Sequence, residues 1–282
     1  MAPPAGAPLI GVALKRVDLR PEVDPLTGTV NDDRRSFGCS TADQAALEWA
    51  LLLAERWGGT VRAVSAGGPA ATSVLRDAVS VGAHEAVLVD LRADAPSEEV
   101  AVALAGALDD AALICCGDLS WDRGSGSVPA FLAARLGLAQ ALGLVDLQPG
   151  ETPGELTAVR RLDHGRREVL AVSGRAVLSF EGASADLRRA PLAAVLAARD
   201  AEVGVRPRPT PRADRVRVVR RSAYRPRPRV TPAPAADLDV RERILSITGA
   251  LVDRTPPRKV QAEPAEAADL LLEQLRAWGY LG

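Results

Sequence analysis

One feature constrains this chain more than any other: strand-like and helix-like segments alternate strictly over residues 9–137. Leu9-Ile10-Gly11-Val12-Ala13-Leu14 is a short apolar run, and residues 42–57 carry helical periodicity that stops at Gly58-Gly59. Residues 60–65 are β-prone and lead into Gly67-Gly68-Pro69. Residues 70–81 form a second helical segment closed by Gly82, and residues 86–89 a third strand. Residues 97–108, 111–116 and 128–136 complete the series as helix, strand and helix. Strands joined through helices require right-handed crossovers, which predicts an α/β fold with a mostly parallel sheet and helices on both faces. Ligands of such sheets sit beyond the carboxyl ends of the strands, where the crossover direction reverses. Ala13, Ala66 and Gly117 fall at those ends.

The texture changes near Gln140. Residues 156–162, 167–172 and 176–180 resemble short strands, with turns at Asp163-His164-Gly165 and Ser173-Gly174. They are expected to run antiparallel and extend one edge of the sheet; His164 reads as a solvated turn residue. Residues 191–200 predict a helix. Residues 206–229 then hold ten arginines and five prolines with little apolar periodicity. This segment reads as an extended arm lying on a partner subunit in preference to a nucleic-acid grip, because only a single aromatic, Tyr224, interleaves the basic residues. Residues 264–279 form an amphipathic helix with Ala268, Leu271, Leu272 and Leu275 on one face, a face that has to dock somewhere. The expected division is a domain over 1–200 and an arm with its terminal helix over 201–282.

Composition narrows the function. A hydrophobic content of 47% suffices for a core, but aromatics at 3% leave it to Ala, Val and Leu. A net charge of −1 argues against general affinity for nucleic acid or anionic membrane. Cys39, Cys115 and Cys116 lack metal-ligand spacing, and the adjacent pair reads as small residues in a packed strand. No apolar run reaches the ~20 residues of a membrane span. The opening residues lack the features of a signal peptide, so the expectation is cytoplasmic. No Ser/His/Asp set, paired carboxylates or metal cluster is apparent, which points to a protein without catalytic residues of its own.

The segment with the most chemistry runs from Cys115-Cys116-Gly117-Asp118-Leu119-Ser120-Trp121 through Asp122-Arg123-Gly124-Ser125-Gly126-Ser127 to Val128. A Gly/Ser/Asp turn between strand and helix presents unpaired N–H groups and the positive end of a helix dipole. Such turns bind anions, phosphate above all. They also serve simply to cap helices. On these residues alone both readings stand.

Taken together, the pieces resemble the β subunit of electron-transfer flavoprotein. Lys15-Arg16-Val17 is similar to that family's opening Lys-Arg/Gln-Val, and Asp24-Pro25-Leu26-Thr27-Gly28 to its Asp-x-x-Thr-Gly. Asp43-Gln44-Ala45-Ala46-Leu47-Glu48-Trp49-Ala50 resembles its Ala-Leu-Glu-Glu-Ala helix, and Arg76-Asp77-Ala78-Val79-Ser80-Val81-Gly82-Ala83 its Arg-x-Ala-Leu-Ala-Met-Gly-Ala. Pro256-Pro257-Arg258-Lys259-Val260, followed by an acidic helix ending in Trp278-Gly279-Tyr280-Leu281, resembles its Pro-Pro-x-Arg segment and terminal helix. The resemblance implies a Rossmann-like subunit of a heterodimer that moves electrons from a dehydrogenase to an acceptor through FAD held mainly by an α subunit. It also implies a structural AMP in the β chain. By position, AMP contacts fall on Ala13, on Ser40, Thr41, Ala42 and Asp43, on Ala66, and on Gly117, Asp118, Asp122, Gly124, Ser125, Gly126, Ser127 and Val128. Arg16 is the candidate for a positive charge near the flavin.

Departures from the pattern also carry meaning. The family's Asn-Pro is Ser40-Thr41 here, and its Gln-Ala-x-Asp-x-Asp-x-x-Gln keeps only Asp122, with Gly124 and Ser127 in place of the second aspartate and the glutamine. Its partner-recognition loop, Leu-Asn-Glu-Pro-Arg-Tyr ahead of a lysine cluster, matches Ser184, Ala185, Asp186, Leu187, Arg188 and Arg189, then Leu196-Ala197-Ala198-Arg199-Asp200. These changes predict a divergent branch that does not serve the usual acyl-CoA dehydrogenases, the mycofactocin-associated branch being the expectation. The rival from another class is a stand-alone adenine-nucleotide-binding module of universal-stress type. An adenine-nucleotide hydrolase is a third reading, but Gly67-Gly68-Pro69 is not its Ser-Gly-Gly-x-Asp-Ser loop.

Overall fold

The computed structural model describes residues 7–31, 33–207, 219–220, 233–248 and 259–281. The chain forms two compact units, Met1–Arg225 and Pro226–Gly282. The first begins with strand β1 (Leu9–Ala13), then the short strands β2 (Arg16–Asp18), β3 (Glu22–Val23), β4 (Val30–Asn31) and β5 (Phe37–Cys39), then helix α1 (Thr41–Trp57). It continues through β6 (Thr60–Gly67), α2 (Thr72–Ser80), β7 (Glu85–Asp90), α3 (Ser97–Leu108), β8 (Leu113–Gly117) and α4 (Ser127–Leu136). β9 (Ala139–Pro149), β10 (Leu156–Arg161), β11 (Arg167–Val172), β12 (Ala176–Phe180), α5 (Leu192–Ala198) and β13 (Gly204–Arg206) complete it. The second unit contributes α6 (Val240–Thr248) and α7 (Pro264–Ala277).

One sheet in the order β11-β10-β9-β12-β8-β1-β6-β7-β13 organises the first unit. Every pairing in it is parallel except β9–β10 and β10–β11. The expected α/β fold with antiparallel strands at one edge is therefore present. Neighbouring residues in β8 serve opposite faces. Leu113 and Cys115 join a core with Leu47 and Leu51 of α1 and Leu75 of α2, whereas Ile114 and Cys116 join one with Leu104 and Leu108 of α3 and Leu132 of α4. Alanines at 45, 46, 50 and 54 let α1 lie close on the strands without large side chains. Both thiols of the Cys115-Cys116 pair are buried, and burial pushes Cys115 up to about 12, so it remains a neutral packing group.

One expectation needs correction. Residues 176–180 were expected as an antiparallel edge strand, but β12 lies between β8 and β9 and runs parallel to both. All five of its residues are buried, Ser179 as the one polar side chain among them, and a run buried on every residue, without alternation, belongs to a parallel strand covered on both faces. The segment before it hides an eleven-residue strand, β9, which follows β12 along its first half and pairs antiparallel with β10 along its second. Gly143 breaks its pattern: it sits at φ 70°, beside a shift of register against β12, and its N–H donates to Ser179 Oγ at 2.9 Å.

Residues 204–206 pair with β7 at the far edge and so belong to the sheet. Most of the Arg/Pro segment over 206–229 and the Pro256-Pro257-Arg258 motif lie outside the described residues. α7 covers the predicted terminal helix. Among the described residues no helix is long and apolar enough to cross a membrane.

Candidate functional site

The chain reverses its direction of winding at β1. β6 and β7 are laid down on one side of it, and β8 returns to the other. The cleft opens at this switch point, where parallel sheets place ligands.

Of the predicted contacts, Ala13, Ser40, Asp43, Ala66, Gly117, Ser125, Gly126 and Val128 line this cleft together. Thr41, Ala42, Asp118, Asp122, Gly124 and Ser127 are not among its lining. Thr41 turns its hydroxyl towards Gly182, where an added Cβ would stand 2.5 Å from Thr41 Oγ1, and Ala42 is buried. Asp118 donates its N–H to Phe180 O. Its carboxyl is pushed up by burial and by Glu181, which places it in the field of the neighbouring strand end. Ser127 Oγ lies 3.0 Å from Ser97 Oγ, joining the first turns of α4 and α3.

Asp43 anchors the floor of the cleft. Ser40 caps α1 by accepting from Asp43 N at 3.2 Å, and the Asp43 carboxylate accepts from Lys15 N at 2.9 Å and from the Gly117 amide. One carboxyl thereby fastens the segment after β1 to the end of β8. Burial raises it to about 7, against the pull of those amides and of the Lys15 charge. Gly117 is required by this approach, since a Cβ there would stand 2.5 Å from Asp43 Oδ1.

The turn between β8 and α4 is tightly made. Ser120 N donates to Ser125 O, Gly124 N donates to Ser120 O, and Gly124 occupies the left-handed region at φ 61°. A Cβ on Gly126 would stand 2.2 Å from Asp118 O, so no side chain fits there. Gly126 is the N-cap of α4 and gives it no side-chain cap. The first amides of that helix are left for a ligand or water to satisfy.

Sequence reasoning missed several lining residues. Lys15 reaches across from β1, its Nζ 2.5 Å from Asp122 Oδ1 and 3.1 Å from Ser120 Oγ. Burial lifts the Asp122 carboxyl, but the hydrogen bonds from Lys15 and Ser120 outweigh it and hold it below its usual value. The signal was present, because Lys15 is one of only two lysines and follows the first strand directly. Trp121 and Arg123 stand within the quoted turn, whereas Ser97, Val100 and Leu104 arrive from α3, a contact no local pattern announces. Arg123 donates to Ala95 O at 2.6 Å and to Ala93 O at 2.7 Å, strapping the turn to the segment before α3.

Arg16 stacks 3.9 Å over the Phe37 ring. In the candidate recognition loop, Ser184 Oγ accepts from Trp49 Nε1 at 3.2 Å, and Ala185 and Leu187 pack against the core. Arg188 grips α1. Its Nη2 is 2.8 Å from Glu48 Oε1, its N–H donates to Glu48 Oε2 at 3.0 Å, and its other guanidinium nitrogen meets Glu55. Asp186 is exposed. Among the described residues no group of His, Cys, Asp and Glu is arranged to hold a metal ion.

Fold and cleft together define an α/β protein with a ligand cleft at the switch point of a parallel sheet. The family model described as the electron transfer flavoprotein domain matches residues 27–211, more than half of the chain, and the chain belongs to that family. The Bacillus subtilis electron transfer flavoprotein subunit beta is 31% identical over 150 residues, covering 51% of this chain and 58% of that protein. Protein FixA of Bradyrhizobium diazoefficiens is 30% identical over 190 residues, covering 64% and 66%, and that of Azorhizobium caulinodans 30% identical over 193, covering 64% and 68%. The matched region thus spans about three-fifths to two-thirds of these relatives.

Proposed function

We propose that this chain is the β-type subunit of a heterodimeric electron-transfer flavoprotein, with FAD held mainly by an α-type partner and AMP held structurally in the cleft described above. The observation that carries the nucleotide assignment is the pairing of an uncapped α4 first turn with a loop too tight at Gly126 to accept any Cβ. Together they form a cradle of backbone amides open to an anion. Ser125, Gly126 and the start of α4 would hold the phosphate. Ala13, Ala66 and the Asp43-fastened segment would flank the adenosine. When bound, FAD supplies the one- and two-electron chemistry, while this chain orients its partner and shapes the flavin's surroundings.

Support for the partner comes from the second unit, in which neither α6 nor α7 buries a residue. Leu271, Trp278 and Tyr280 are 65%, 66% and 77% exposed, an apolar surface that water does not favour. The donor is proposed to be a dehydrogenase outside the usual acyl-CoA group, in a mycofactocin-associated system. The altered loop supports that choice, because its arginine is committed to Glu48 and Glu55 within the subunit. A location in the cytoplasm accords with this role.

The test is co-purification with the α-type partner, followed by denaturing extraction and mass spectrometry of the released small molecules. FAD and AMP in near-equal amounts are expected. A colourless, flavin-free complex overturns the electron-carrier reading, and a flavin-containing complex without adenine nucleotide in β overturns the cleft assignment alone. A stable homodimer of the lone chain with tight ATP binding would favour the stand-alone nucleotide module.

A further inference from the structure

Trp121 stands at the mouth of the cleft, lines it, and keeps 51% of its surface exposed. The other tryptophans of the first unit are differently placed. Trp49 stacks on Phe180 and donates to Ser184, and Trp57 packs against the core and donates to Gly150 O. Among the described residues, no hydrogen bond is made by the Trp121 indole N–H. A large ring with a free donor, held out at a cleft, has surrendered burial that its size would otherwise supply.

The ring is not held out by a loose loop. Its two neighbours are pinned from the opposite side of the cleft, since Lys15 Nζ bonds both Ser120 Oγ and Asp122 Oδ1. Arg123 ties the same turn to the carbonyls of Ala93 and Ala95. Two straps from different elements thus fix a short turn whose projecting aromatic lies at the cleft. The walls nearby are largely apolar, with Leu14, Val17, Val100 and Leu104 contributing. Such a site is suited to a planar aromatic group, and the amide cradle at Gly126 to the anionic end of the same ligand.

From this placement we infer that Trp121 is the stacking residue that makes the cleft selective for the base of an adenine nucleotide. It rests on the nucleotide reading of the cleft and adds to it the residue that recognises the base. Stacking on an aromatic is tolerant of the ring's edge and demanding of its planarity. The phosphate cradle would accept a ribose phosphate; Trp121 rewards only a ligand that also brings a ring.

The experiment titrates the full-length chain with AMP and, separately, with ribose 5-phosphate, by calorimetry and tryptophan fluorescence, for wild type, Trp121→Ala and Trp121→Phe. Wild type binds AMP with a change in emission. Trp121→Ala weakens AMP on the order of tenfold and leaves ribose 5-phosphate unchanged. Trp121→Phe retains most of the AMP affinity while losing the change in emission. Equal AMP affinity in wild type and Trp121→Ala overturns the inference, as does an equal loss for AMP and ribose 5-phosphate, which would mark a merely structural residue. If wild type binds neither AMP nor ribose 5-phosphate, the nucleotide reading falls first and takes this inference with it, an outcome distinct from the other two. Unchanged thermal midpoints without ligand confirm that the variants fold.

Discussion

Asp43 shows how one buried carboxyl couples the folding of this cleft to pH. Its folded value of about 7 stands above the ordinary 3.8, with burial as the main cause. Between those two values the native protein holds a proton that the unfolded chain has released. The contribution of this group is therefore fully present below the unfolded value and is lost as pH rises through the folded one. Asp43→Asn removes the ionisation and sets an amide against one of two donated N–H groups, costing roughly 1–3 kcal/mol at low pH. The deficit of Asp43→Asn relative to wild type, measured by urea unfolding, is expected to shrink between pH 5 and pH 8. A deficit constant over that range would show that Asp43 does not titrate there. Gly126 offers a sharper test of geometry. Its Cβ would meet a backbone carbonyl, not the end of a flexible side chain, so Gly126→Ala has to displace the turn. The expected result is an adenine-nucleotide content reduced severalfold in the purified complex, with most of the stability kept because the turn lies at the surface; full nucleotide content would refute the cradle. At this scale the sequence was partly legible. A Gly/Ser turn before a helix announced the tight turn and the start of α4, but nothing local revealed that Lys15 would cross to Asp122, for that meeting depends on how β1 and β8 lie side by side.

Among the elements, the ones read correctly were those whose burial repeats with a single period. α1, α3 and the strands β1, β6, β7 and β8 are each buried on one face or along most of their length. β9 and β12 were harder for opposite reasons. β12 is buried on every residue and so gives no hint of direction. β9 changes partners midway at Gly143, which disrupts the alternation that would have announced it. The loop after β12 illustrates an element fixed by a single side chain. Glu48 is only 8% exposed on the buried face of α1, and Arg188 satisfies it through both guanidinium and backbone N–H. Arg188→Ala strands that carboxylate and is expected to cost roughly 2–4 kcal/mol. Arg188→Lys restores charge without the two-pronged geometry and recovers only part of the loss. Thermal unfolding of the three proteins decides the matter, and an Arg188→Ala midpoint equal to wild type would mean the loop is held by Ala185, Leu187 and the Ser184–Trp49 hydrogen bond.

At the scale of the whole molecule, the two units divide the labour of burial unequally. The first has a core on each face of its sheet. In the second, the apolar faces of its described helices remain uncovered: Val240, Ile244 and Ile247 on α6 are 75%, 57% and 56% exposed, and Leu271 on α7 is 65% exposed. The heptad-like spacing of the terminal helix was plain in the sequence, yet its destination was not, because an amphipathic pattern specifies that a face is buried and not against what. Covering a leucine contributes about 1.5–3 kcal/mol, so two of them together weigh heavily in an association. Leu271→Asp combined with Leu272→Asp is therefore expected to leave the unfolding of the first unit unchanged while weakening the complex with the α-type partner by two orders of magnitude or more, at about 1.4 kcal/mol per tenfold. Analytical ultracentrifugation of the mixed subunits distinguishes the outcomes. Intact association would place the partner's grip on the sheet unit, and α7 would then owe its apolar face to some other contact.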